Sequence, residues 1–286
     1  MRFTTHAVLA ALLLAAGSAL VHAGDSRFAQ LEGNPQLRSA SALVLDAQGN
    51  VIYGKDADAV RPIASITKLM TAMVILDAKL DLQQRITIDK RDRDLVRLTG
   101  SRLEVGATLT RRELLLLALM SSENRAAAAL GRTYPGGTRA FVEQMNHKAA
   151  ALGMHSSRFA DAAGLRAENV ASASDLAKML AAAEGYPLIA RATTTTRLQV
   201  RPYSRRGPLI YGNTNRLLKN ASWHIGLSKT GYINEAGRCL VMQAQVSGQE
   251  LTIILLNSFG KMTPYGDSNR IRKWVEQGIN VNSGST

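Results

Sequence analysis

Of 286 residues only one is cysteine, and only 5% are aromatic. A lone thiol, Cys239, can form no internal disulfide, so the chain is not a disulfide-stapled scaffold. Without a Cys/His cluster there is no ligand set for structural zinc, and no cofactor or metal is expected. Acidic residues are scarce as well: 22 Asp and Glu stand against 35 Lys and Arg, a net charge of +13. That balance suits an anionic partner, whether nucleic acid, anionic lipid or an acidic polymer such as a cell wall. The chain also lacks a Gly-x-Ser-x-Gly elbow, a His-Glu-x-x-His pair and a Walker loop. The usual serine-hydrolase, zinc-protease and nucleotide readings are therefore without their residues. His147, His155 and His224 fall in different segments with no metal-ligand spacing.

What is present is a chain with 46% apolar residues, ample for a buried core. Residues 1–23 read as a secretory leader: Arg2 near the start, a small and apolar run from Ala7 to Leu20, and Val21-His22-Ala23 before Gly24. The competing reading, an uncleaved anchor, needs ~20 apolar residues, and this run is shorter. No later stretch approaches ~18 uninterrupted apolar residues. Export to the periplasm is expected, which makes nucleic acid an improbable partner; the low aromatic content points the same way.

Apolar runs at residues 42–45 and 51–53 flank Asp46-Ala47-Gln48-Gly49-Asn50, the signature of a hairpin. Ile66, Leu69, Met70, Met73 and Leu76 then recur at helical spacing, which puts Ser65 in the first turn of a core helix. Thr110-Arg111-Arg112-Glu113 is a capping box ahead of a helix to Met120, and the step at residues 121–124 separates it from the next. Further helices are predicted at about 138–152 and from Ser172 to near Gly185. Strands follow at 193–200, 225–232, 238–246 and 251–257, and a last helix at about 267–277. An α+β fold results, with an antiparallel sheet built from both chain ends and an inserted all-α lobe at about 85–190. Residues 24–286 are expected to form one domain.

Three short motifs occur in order: Ser65-Ile66-Thr67-Lys68, Ser122-Glu123-Asn124 and Lys229-Thr230-Gly231. Residues i and i+3 share a helix face, so the Lys68 amine can reach the Ser65 hydroxyl. Burial beside other cations would lower the lysine until a neutral amine can take the proton. Ser65 is then a candidate acyl-forming nucleophile. Amides at the start of its helix and the Tyr232 N–H supply two candidate oxyanion donors, and Gly231 lets substrate lie against its strand. Each motif alone has a plainer account: Ser65 as a helix cap, Ser122 or Asn124 as another, Lys229 as a strand residue before a turn. A second Ser-x-x-Lys, Ser258 to Lys261, follows a strand, contains Gly260 and opens no helix. Three motifs on three separate elements able to meet in one cleft are what favour chemistry.

On these residues the sequence resembles the low-molecular-mass penicillin-binding proteins that act as D-alanyl-D-alanine carboxypeptidases or endopeptidases. The likeness extends through residues 61–72 and 121–126, Gly164-Leu165, Asn213-Thr214-Asn215, Tyr232 and Ala236-Gly237. It implies a β-lactamase-like transpeptidase fold and a substrate of peptidoglycan stem peptides, with β-lactams as inhibitors. It also implies that Ser65 attacks the D-Ala carbonyl, Lys68 acts as base and Ser122 relays a proton to the leaving amine. Lys229 and Thr230 would recognise the substrate carboxylate, and Asn124 the peptide backbone. The short stretch after Lys229 is similar to the type-seven endopeptidase group, which cuts cross-links. Peripheral association with wall or membrane is compatible with this resemblance. A class A β-lactamase would need a Glu-x-x-x-Asn loop, for which Glu168-Asn169 is the wrong arrangement; an idle wall-binding homologue would be expected to lack Ser65, Lys68 or Lys229. Between Glu184 and Glu235 lie eight basic residues and no acid, read either as a solvated face or as a basic approach to a carboxylate-rich substrate.

Overall fold

The predicted hairpin forms, with β1 (Ser41–Leu45) antiparallel to β2 (Val51–Lys55). This computed structural model describes Phe28 and residues 31–283, so the expected leader at 1–23 lies outside the described residues. After β3 (Arg61–Pro62) a 3-10 turn at Ala64–Ile66 leads into α1 (Thr67–Asp77). Residues 67–75 of α1 are buried on every side, so this helix is the axis of the apolar lobe and not a surface element.

The lobe continues through β4 (Arg85–Thr87), β5 (Thr108–Thr110), α2 (Arg111–Met120), α3 (Asn124–Arg132) and α4 (Gly137–Ala151). At α2 the capping box is complete: Thr110 Oγ1 accepts from Glu113 N, and the Glu113 carboxylate accepts from Thr110 N. Next come β6 (Val170–Ala171), α5 (Ala173–Glu184) and α6 (Pro187–Thr194). The last of these departs from the sequence expectation, which ran a strand from 193. Pro187 sits at the first helical position, and Ile189, Ala192 and Thr193 are buried at helical spacing, so packing overrides the strand preference of the threonine run. The strand proper, β7, is Arg197–Val200, and it pairs with β8 (Leu209–Gly212).

The chain then returns to the main sheet with β9 (His224–Ile233), β10 (Gly237–Val246) and β11 (Gln249–Ser258). The sheet order is β2-β1-β11-β10-β9, so both chain ends build it, as expected, and β9 is an edge. Strands buried on both faces read as nearly continuous apolar runs. In β10, Leu240, Met242, Ala244 and Val246 face one apolar cluster, while Cys239 and Val241 face the other. The first cluster is covered by α7 (Thr263–Ser283), through Ile271 and Val275. This helix is longer than predicted at both ends; Pro264 falls in its first turn, where a missing N–H is harmless. The second cluster holds the helical lobe. The discounted Ser258 is fully buried and bonds Ser39 Oγ at 2.7 Å, beside Asp267.

Candidate active site

Ser65 sits in the 3-10 turn and Lys68 in the first turn of α1. Lys68 Nζ donates to Ser65 Oγ at 2.8 Å. It also reaches Asn124 Oδ1 at 2.8 Å and the Ala163 carbonyl at 2.5 Å. The last two partners are acceptors only, so a neutral amine spends both of its N–H groups on them. In that neutral form its lone pair faces the Ser65 hydroxyl, which donates to it, the reverse of the bond made by the ammonium. Complete burial lowers the Lys68 pKa to about 7, against the opposing pull of the carboxylates of Asp161, Glu123 and Asp94. A proton acceptor near neutrality therefore stands against a hydroxyl at the N-terminal end of a helix. Ala64, just before Ser65, has φ +48, an unfavourable setting for a residue with a Cβ.

Ser122 lies in the corner between α2 and α3, also left-handed at φ +60. Its hydroxyl oxygen accepts from Lys229 Nζ at 2.9 Å. Lys229 gives a second bond to the Thr230 carbonyl at 2.9 Å. Burial first, and the nearby Lys68 second, push the Lys229 pKa well below the ordinary lysine value. A bound carboxylate would oppose both effects. No hydrogen bond among the described residues joins Ser122 directly to Ser65 or Lys68. Asn124, the first residue of α3, is fixed from both ends of its amide, by Lys68 and by Thr99 Oγ1 at 2.9 Å.

The opposite wall is the edge strand β9. Thr230 Oγ1 bonds Thr214 Oγ1 at 2.6 Å. A Cβ on Gly231 would stand 2.8 Å from the Ile63 carbonyl and 3.2 Å from Ser65 N. The space that Gly231 leaves is thus filled by the chain's own turn at residues 63–65, a different use from the substrate approach expected of it. The Tyr232 side chain is half exposed, bonds Asn234 Oδ1 at 2.9 Å and lies under the Arg238 guanidinium at 3.7 Å. The cleft itself, about 520 Å³, is lined by Ser65, Ser122, Asn124, Thr230, Gly231 and Tyr232 among others. A second cavity of about 500 Å³, at the other end of β9, contains none of them.

Two groups had no sequence signal. The Ala163 carbonyl is held by a loop wrapped around the Asp161 carboxylate, which accepts from the amides of Ala163, Gly164, Leu165 and Arg166. Thr214, inside Asn213-Thr214-Asn215, carries nothing in the sequence that would place it against Thr230. Other candidates stand apart: Glu168 and the histidines at 147, 155 and 224 are exposed. Cys239 is buried with its thiol pushed up to about 11, chiefly by desolvation, an inert setting. Met70, Met73 and Met120 are fully buried core residues.

The profile of the D-alanyl-D-alanine carboxypeptidase family matches residues 29–260. A D-alanyl-D-alanine endopeptidase from Pseudomonas aeruginosa is 47% identical over 244 residues, 85% of this chain and 79% of the relative. One of the same description from Escherichia coli is 42% identical, over 94% of this chain and 87% of the relative. Among solved structures, the DD-transpeptidase of Streptomyces K15 superposes with a TM-score of 0.79 at 27% identity, covering 86% of this chain and 100% of that one.

Proposed function

The chain belongs to the D-alanyl-D-alanine carboxypeptidase family and is a serine DD-peptidase, and from that premise we propose that it cleaves D-alanyl cross-links of peptidoglycan through an acyl-enzyme at Ser65. The observation that carries the chemistry is the Lys68 amine, buried, lowered to about 7 and 2.8 Å from the Ser65 hydroxyl. Lys68 Nζ takes the proton as Ser65 Oγ bonds the D-Ala carbonyl carbon. The developing oxyanion is assigned to the N–H groups of Ser65 and Tyr232; Gly231, next to Tyr232, lies against Ser65 N where it lacks a Cβ. Lys229 and Thr230 take the carboxylate of the leaving residue, and Asn124 the donor peptide backbone. Ser122, bonded to Lys229, gives its hydroxyl proton to the departing amine and is reprotonated from the Lys68 ammonium, by way of bound substrate or water, so that Lys68 is neutral again. The C–N bond then breaks, and water releases the acyl group by the reverse use of Lys68.

Cross-links are favoured over terminal D-Ala as the substrate because relatives at 47% and 42% identity are described as endopeptidases. A periplasmic protein released by loss of residues 1–23, with 24–286 as one peptidase domain, fits that role. Among the described residues no helix is long and apolar enough to cross a membrane.

The test is incubation with cross-linked muropeptide dimers and, separately, monomeric pentapeptides, with products read by mass. Conversion of dimers to monomers by the wild type, absent in Ser65→Ala, is the expected result. Loss of terminal D-Ala alone makes the enzyme a carboxypeptidase, and turnover of penicillin alone makes it a β-lactamase.

A further inference from the structure

Past Thr230 the cleft continues away from Ser65. The Thr214 that meets Thr230 also accepts, at its carbonyl, from the Tyr265 hydroxyl at 3.2 Å. Arg216 Nη1 lies 3.6 Å from Met262 Sδ. Two segments distant in sequence, 214–219 and 261–265, are thereby closed into one wall. The cleft lining there includes Arg216, Lys219 and Lys261, with Arg238 nearby, and no Asp or Glu anywhere. None of the four is in an ion pair among the described residues. Lys219 and Lys261 are exposed lining residues of the cleft.

A terminal D-Ala leaves as a single small amino acid. Its one carboxylate is taken at Lys229 and Thr230, which, with the donor peptide seated at Asn124, leaves the cations elsewhere in a cleft of about 520 Å³ without a counter-charge. That volume lies in the range of roughly 300–1,000 Å³ that holds a whole ligand. The leaving group of a cross-link is a second stem peptide, which carries further free carboxylates beyond the one next to the scissile bond. It matches those cations in sign of charge.

We infer that Lys219 and Lys261 form a subsite for the carboxylates of the leaving stem peptide and so set the preference for cross-links over terminal D-Ala. This rests on the endopeptidase reading above. Binding there adds affinity only for substrates long enough to reach it. Small acylating agents, which end near Thr230, are indifferent to it.

The experiment compares wild type, Lys219→Ala/Lys261→Ala and Lys219→Arg/Lys261→Arg on three substrates: muropeptide dimer, monomeric pentapeptide and benzylpenicillin. Two exposed charge pairs are expected to lower kcat/KM for the dimer about three- to thirtyfold in the alanine variant, mainly through KM. Penicillin acylation and pentapeptide cleavage stay within about twofold, and the arginine variant keeps dimer cleavage. Dimers with amidated carboxylates on the leaving stem should be cut by wild type as slowly as free dimers are by the alanine variant. Unchanged dimer cleavage in the alanine variant, or an equal fall on dimer and penicillin, overturns the subsite and leaves the endopeptidase reading standing. A wild type inert on dimers overturns both.

Discussion

Lys68 owes its proposed chemistry to where it is buried more than to what it is. An exposed lysine would stay protonated at neutral pH, and a buried one without acceptors would be a costly orphan. Here three acceptors are present, and desolvation outweighs the neighbouring carboxylates. The sign of the pH dependence follows. Below about pH 7 the amine is protonated and cannot take the Ser65 proton, so acylation by penicillin should fall about tenfold per pH unit there. A descending limb is expected where substrate-free Lys229 loses its charge, below the ordinary lysine range. Stopped-flow acylation from pH 5 to pH 10 measures both limbs, and a flat profile across pH 7 would remove Lys68 as base. Lys68→Ala should lower the acylation rate by about 10²- to 10⁴-fold. The Ser65–Lys68 contact was legible from an i, i+3 spacing. The Ala163 carbonyl that helps to hold the amine was not, because a backbone acceptor can come from any residue.

At the scale of elements, the cleft depends on two close approaches of backbone to backbone. One brings β9, at Gly231, against the turn that carries Ser65. The other brings Gly164, at φ +75, under Ala64; a Cβ there would stand 1.9 Å from the Ala64 carbonyl. Gly231→Ala meets a contact of 2.8 Å that a small shift of the turn can relieve. Such overpacking costs about 1–3 kcal/mol. Gly164→Ala adds left-handed backbone strain to a far shorter contact, so it should destabilise more. Thermal unfolding is expected to rank wild type above Gly231→Ala above Gly164→Ala, with penicillin acylation falling in both variants because Ser65 moves. A Gly231→Ala enzyme acylating at the wild-type rate would show that β9 does not press on the turn. The hairpin, the capped helix α2 and the strands β9 to β11 were legible because local signal and burial agree in them. The helix α6 was not: the threonine run at 193–196 begins in its last turn and favours a strand, and only burial of Ile189, Ala192 and Thr193 decides otherwise.

Across the whole molecule, the net charge of +13 acquires a geography. Of the eight basic residues between Glu184 and Glu235, Arg216 and Lys219 line the cleft and Lys229 is buried beside it. Arg205 and Arg206 line a separate hollow, where Arg206 is paired with Glu104 at 2.7 Å. The fold then brings Arg238 and Lys261 to the cleft from later strands and loops. The fold thus adds two later cations, Arg238 and Lys261, to the part of the basic stretch that reaches the cleft. Exposed charges of this kind act at a distance on a polyanion, and salt shortens their reach from ~10 Å at 0.1 M to ~3 Å at 1 M. Hydrolysis of intact wall material, an extended array of carboxylates, should therefore decline steeply over that range. Acylation by a small β-lactam with a single carboxylate depends on the buried Lys229 and should change little. Parallel rate measurements on the two substrates against salt decide the matter, and equal sensitivity would leave the basic surface as a solvated face without a part in capturing substrate.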